Sequence, residues 1–178
     1  MNALEAFFSN GVLAWGLAAC GIAQLSKLVI ELVVHRRWNP KVLVETGGMP
    51  SSHSALLTGT AAGLGWQLGF DDPLFALAAI MCFVVLYDAS GVRRAAGLTA
   101  ARVNSLWENS SAPNSLSQDE AVAQDESEKP LKENLGHTKL EVLVGSVMGP
   151  LIALPGLVLL GSPVQLVHRF LPGMGPLA

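Results

Sequence analysis

The sequence predicts an all-α, polytopic membrane helical bundle of about four spans plus one interfacial helix, forming a single membrane domain over residues 1–178. Three observations predict it. Hydrophobic residues make up 51% of the chain against 14% charged, with a mean hydropathy of +0.43, which is more apolar surface than a small soluble core can bury. Those residues lie in runs close to the ~20 that cross a bilayer as a helix. The cations gather at alternate ends of those runs, the pattern of loops that face the cytoplasm.

The first helix is expected over residues 11–34. It is apolar through Ser26, then carries Lys27 and Glu31 one turn apart, and it stops at His35-Arg36-Arg37-Trp38-Asn39-Pro40-Lys41, where cations and tryptophan anchor a helix end. A polar hinge with Gly47 and Gly48 leads into a second helix, 50–68, which Pro50 opens because proline suits the first helical turn. The third helix, 73–88, is short for an independent span and is expected to tilt or lean on its neighbours; Ser90-Gly91 breaks it. Arg93, Arg94 and Arg102 make a fourth helix, 92–107, interfacial or protein-packed rather than lipid-exposed. A last helix, 137–160, is bent or interrupted around Pro150 and Pro155, and a Gly/Pro-rich tail follows. Glycines four apart (Gly59 and Gly63, Gly65 and Gly69, Gly145 and Gly149) permit close helix contact in lipid.

The formal net charge of −3 is misleading, because residues 108–134 hold seven of the fourteen acids and only two of the eleven basic residues. The remainder, seven acids against nine basic residues, is +2. That segment, rich in Ser, Asn, Gln, Asp and Glu, cannot bury enough apolar surface to offset its ordering entropy, and a mobile loop is expected there. Cys20 and Cys82 both lie inside apolar runs without metal or redox spacing, so free buried thiols are expected. No nucleic-acid partner is expected, and the oligomeric state is open.

Alternation of the spans puts four places on one membrane face: the end of the first helix, the start of the second, the end of the third and the start of the last. Arg36, Arg37, Lys41, Arg93, Arg94, Arg102, Lys132 and Lys139 all fall on that face, while Asp71 and Asp72 occupy an opposite turn. The positive-inside rule makes the cationic face cytoplasmic.

Nearly all the unusual polar residues lie there too. Gly47-Gly48-Met49-Pro50-Ser51-Ser52-His53-Ser54 sets a hinge, two hydroxyls and a histidine at a helix N-terminus, where unpaired amides attract anions. Ser51 and Ser52 are candidate phosphate donors and His53 a candidate proton donor to a leaving oxygen. The ordinary use of the same residues is a serine N-cap beside an interfacial histidine. Farther on, His137 and Glu141 are spaced i, i+4, which sets them on one helix face; such a carboxylate orients an imidazole so that its other nitrogen serves as a nucleophile. A capping or solvated pair is the ordinary alternative.

With these residues the chain resembles a small divergent branch of the type 2 phosphatidic acid phosphatase and vanadium haloperoxidase superfamily. The likeness covers roughly residues 27–149 apart from the acidic loop, and GGMPSSHS, YDASGVRRAAG and LGHTKLEVLVG carry it. It implies that Pro50-Ser51-Ser52-His53 stands for the family's Pro-Ser-Gly-His element, Ser52 replacing glycine and His53 acting as general acid. His137 would then be the nucleophile, and Glu141, in place of the usual aspartate, the residue that orients it. The family's third-motif arginine lies six residues before the histidine, where this chain has Leu131. Arg93 or Arg94 is expected to supply that cation, Asp88 to position an arginine, and Lys27 to stand for the first-motif lysine, whose Lys-x6-Arg-Pro spacing is absent. Gly47 and Gly48 support the hinge.

The implied activity is a membrane phosphomonoesterase acting on a lipid or isoprenoid phosphate through a phosphohistidine, with no metal or other cofactor. The alternatives are a non-catalytic lipid-phosphate or phosphate-binding membrane protein and, ranked last, a haloperoxidase holding vanadate where the phosphate would sit.

Overall fold

The computed structural model describes residues 3–34, 36–43, 47–110, 130–133 and 135–170. Among them are seven α-helices and no strand: α1 (Ala3–Phe8), α2 (Gly11–Val34), α3 (Ser52–Leu68), α4 (Pro73–Ser90), α5 (Val92–Ser110), α6 (Lys139–Leu159) and α7 (Pro163–Phe170), with a 3-10 turn at Pro40–Leu43. The chain is an all-α membrane bundle. Among the described residues three stretches are long and apolar enough to cross a bilayer: Gly11–Val34, Pro73–Glu108 and Lys139–Leu159, with mean hydropathies of 1.8, 2.0 and 2.2.

The side chains are sorted for lipid. Large apolar groups point outward, with Val33, Phe83 and Leu151 at 68%, 77% and 68% exposure, while Ser51 and Ser54 are the largest side chains buried completely. In water this arrangement would leave most of the hydrophobic effect unused; in lipid, cohesion comes from close packing of small residues.

That packing centres on α3, which lies against α6, α2 and α4. Its 17 residues carry no charge, it is shorter than the three apolar stretches, and the residues it buries are all Gly, Ala or Ser. A Cβ added at Gly59 would lie 3.1 Å from the Gly149 carbonyl oxygen, one at Gly63 would lie 3.1 Å from Val12 Cγ1, and one at Gly145 would overlap the Ser51 carbonyl. Two of the three anticipated glycine pairs therefore sit at helix contacts. The third does so by half: Gly65 underlies the Phe75 ring of α4 as well as Phe70, whereas Gly69 is the C-cap of α3 at φ 106°, a conformation that favours glycine.

Several boundaries differ from the sequence reading for local reasons. α3 starts at Ser52 rather than Pro50, since Ser51 is its N-cap, accepting the Ser54 N–H. Asp72 caps α4 by accepting the Leu74 N–H at 2.7 Å, and α4 continues two residues past Asp88. Most of the segment 108–134, where a mobile loop is expected, lies outside the described residues, and its described ends are ordered parts of the bundle. Residues 108–110 extend α5, and beyond the segment 111–129, which lies outside the described residues, the chain is tied back to α5. The Asn104 side chain donates to the Leu131 carbonyl at 2.9 Å and to Glu133 Oε1 at 2.8 Å, and it accepts the Leu131 N–H at 2.9 Å.

α6 keeps Pro150 and Pro155 inside a continuous helix. The Gly/Pro-rich tail contains α7, which Ser162 and Gln165 cap reciprocally, and residues 171–178 lie outside the described set. Trp15 Nε1 donates to the Gly161 carbonyl at 2.7 Å, fastening α2 to the turn before α7.

Candidate active site

Backbone hydrogen bonds draw the predicted polar segments together at one end of the bundle. Ser51 N–H donates to the Glu141 carbonyl at 3.1 Å, joining the start of α3 to the first turn of α6. His137 N–H donates to the Ala89 carbonyl at 2.9 Å, joining the approach to α6 to the end of α4. Gly136, at φ 79°, rests directly on the backbone of Arg93 and Arg94, where no side chain would fit. Lys27, 3% exposed, donates from Nζ to the Gly47 carbonyl at 3.0 Å and so reaches the hinge from within α2.

His137 is 4% exposed, and its Nδ1 lies 3.0 Å from Glu141 Oε2. The pair forms, although not as two positions on one helix face. α6 begins at Lys139, so His137 precedes the helix and Thr138 is the N-cap. The contact arises from a capping box: Thr138 Oγ1 accepts the Glu141 N–H at 3.2 Å, and Glu141 Oε2 accepts the Thr138 N–H at 3.1 Å. The glutamate is folded back toward its own helix start, and there it meets the imidazole.

His53 heads α3, outside the three apolar stretches, with its side chain open to solvent. Partial burial of the ring, then the charges of His137, Lys27 and Arg93, push its pKa below the ordinary 6.5. Lys27 and Arg93 therefore act on His53 together, which makes this end of the bundle attractive to an anion. Arg93 Nε donates to Asp88 Oδ2 at 2.6 Å in a pair whose side chains are 61% and 35% exposed. Arg94 takes a different position, lining a cavity of about 380 Å³ together with Gly47, Gly48, Thr138 and Glu141.

The two serines do not share one role. Ser51 is fully buried, and its Oγ accepts from Ser54 N–H at 3.3 Å and Ser54 Oγ at 2.9 Å, so it caps α3 beneath the site. Ser52, 6% exposed, is the first residue of the helix. Two carboxylates that the sequence reading did not single out, Glu31 and Glu133, also line the cavity. Glu31 lies one turn from Lys27 and was legible as its helical neighbour; Glu133 arrives through the Asn104 contacts, which no local pattern announces. Thr138 was also missed, although Thr138-x-x-Glu141 is a capping-box signature. Among the described residues there is no group of three or more His, Cys, Asp or Glu side chains placed to hold a metal ion.

Comparison with known proteins places the chain in a family. The model of the divergent PAP2 family matches residues 8–152. A relative from Bacillus subtilis (strain 168), described as the uncharacterized membrane protein YuiD, is 39% identical over 147 residues, covering 82% of this chain and 93% of that protein. No solved structure matches the chain. With the family model spanning most of its length and a relative of that similarity, the chain belongs to the divergent PAP2 family.

Proposed function

We propose that the protein is a membrane phosphomonoesterase that hydrolyses a lipid or isoprenoid phosphate through a phosphohistidine. The observation that carries this reading is the pair of buried His137 with Glu141 at 3.0 Å, set at the end of a lipid-adapted bundle beside His53, Lys27 and Arg93. A carboxylate on Nδ1 holds the proton there and leaves the Nε2 lone pair to attack.

In the proposed reaction, Lys27, Arg93 and Arg94 draw the phosphoryl oxygens to the site while the His137 Nε2 lone pair attacks phosphorus. The N–P bond forms as the P–O bond to the leaving alcohol breaks, and protonated His53 gives its proton to that oxygen. His53, now neutral, takes a proton from water as the water oxygen attacks phosphorus. The N–P bond breaks, inorganic phosphate leaves, and both histidines return to their starting states. Glu141 keeps the Nδ1 proton throughout and stabilises the positive charge that develops on the ring. The phosphoryl-accepting face is proposed to be cytoplasmic, on the charge asymmetry of the loops.

Purified protein in detergent or bilayers, incubated with a panel of lipid and isoprenoid monophosphates, should release inorganic phosphate from at least one of them. Release from none would count against the reading. A non-catalytic phosphate-binding role is the second reading, favoured by Leu131, 52% exposed, at the position corresponding to the third-motif arginine, and by the engagement of Arg93 with Asp88. Saturable binding of a lipid phosphate without turnover would support it.

A further inference from the structure

Glu141 Oε2 accepts the Thr138 N–H at 3.1 Å and lies 3.0 Å from His137 Nδ1. A carboxylate oxygen that already accepts from a backbone amide presents acceptor capacity to the imidazole, so the ring supplies the proton and Nδ1 is the protonated nitrogen. The rotamer that permits this is not held by the core, because the Glu141 side chain is 20% exposed. It is held by the Thr138 N–H, which the cap conformation of residue 138 (φ −70°, ψ 156°) aims at Oε2, and the side chain enters by holding that conformation, Oγ1 accepting the Glu141 N–H at 3.2 Å. The neighbouring backbone bonds, Ser51 N–H to the Glu141 carbonyl and His137 N–H to the Ala89 carbonyl, fix the main chain at residues 137 and 141 but leave the carboxylate free to turn.

We propose that Thr138 is a positioning residue for the His137–Glu141 pair, its capping box holding the carboxylate that fixes the imidazole tautomer. The inference rests on the proposed nucleophilic role of His137 for its kinetic consequence, but the tautomer can be read without any turnover. The longer glutamate suits the device: Glu or Gln is the residue the capping box uses at this helix position to reach back to the cap N–H, and aspartate is one methylene shorter. Glu141→Asp should therefore fail to reproduce the arrangement.

The test compares Thr138→Val, Thr138→Gly and Thr138→Ser by ¹⁵N-histidine NMR in detergent micelles and by steady-state kinetics on a lipid phosphate, with thermal melts as the folding control. Wild type should show His137 protonated on Nδ1, and Thr138→Ser should keep that signal and its kcat. Thr138→Val should mix the two tautomers and lower kcat by about 10–100-fold at unchanged KM, the range seen when partners that orient metal-bound histidines are removed. Should Thr138→Val not be recovered folded, Thr138→Gly decides, since glycine is nearly as good an N-cap as threonine yet lacks the oxygen. An unshifted tautomer in a folded Thr138→Val or Thr138→Gly protein would overturn the proposal, as would a Thr138→Ser variant as impaired as Thr138→Val. Absence of turnover in wild type would instead overturn the proposed function, leaving the NMR comparison to decide the role of Thr138.

Discussion

Replacing His53 by alanine removes the proposed general acid while leaving the proposed nucleophile in place, and its effect should depend on the leaving group. An alkyl alkoxide is strongly basic and needs a proton as it departs; a nitrophenolate does not. General-acid assistance is typically worth about 10²–10⁴-fold, so His53→Ala should lose activity on an alkyl lipid phosphate by that factor and far less on p-nitrophenyl phosphate. The structure adds a pH signature. Partial burial, then the neighbouring His137, Lys27 and Arg93, push the His53 pKa below the ordinary 6.5. A lowered pKa empties the acid as pH rises through it. The kcat/KM for the alkyl substrate should therefore be maximal with respect to this group below that pKa and fall about tenfold per unit above it. A bound phosphate offsets the same cationic charges, so the corresponding limb of kcat should lie at higher pH. Phosphate release measured for both substrates across pH tests all of this. Equal losses on the two substrates in a folded His53→Ala protein, with the wild-type pH limb retained, would refute the acid role.

Three other outcomes are expected. His137→Ala should abolish hydrolysis of both alkyl and aryl phosphates, and full activity in the folded variant would remove the mechanism. Gly145→Ala places a Cβ against the Ser51 carbonyl, with Ser51 N at 3.1 Å; overpacking should cost on the order of 1–3 kcal/mol, and an unchanged melting temperature in detergent would contradict the packing account. In a background without native cysteines, Lys132→Cys should react with an impermeant thiol reagent only from the cytoplasmic side and Asp71→Cys only from the other, and the reverse pattern would invert the orientation.

Much of the scaffold was legible because lipid makes hydropathy a direct structural signal. The first span was bounded correctly at 11–34 by the hydrophobic run and by Arg36, Arg37 and Pro40 beyond it. α3 was legible by Pro50 at its start, and its glycines pointed to its close contacts with other helices. Pro50 misled by two residues because Ser51 was available as a better cap. At the site, His137 and Glu141 were legible as a pair from their spacing, but their contact comes from a capping box with His137 outside the helix. Helical periodicity gave the right partners by the wrong geometry. What stayed hidden depends on contacts across long stretches of sequence: Asn104 holding Leu131 and Glu133, and with them one wall of the cavity. The short helices α1 and α7 were missed because neither has a long apolar run, although Ser162-Pro163 and Gln165 carry a readable helix start.

The central claim is that His137 accepts the phosphoryl group, and trapping that intermediate tests it most directly. Protein mixed with a lipid phosphate labelled in its phosphorus should be quenched within a single turnover in alkali, which preserves the N–P bond of phosphohistidine, and then digested for mass spectrometry. The account predicts label on a peptide containing His137, lost on acid treatment and absent from His137→Ala, with more label accumulating when hydrolysis of the intermediate is slowed. Label on another residue, or turnover with no covalent label at any quench time and unimpaired hydrolysis in His137→Ala, would contradict it.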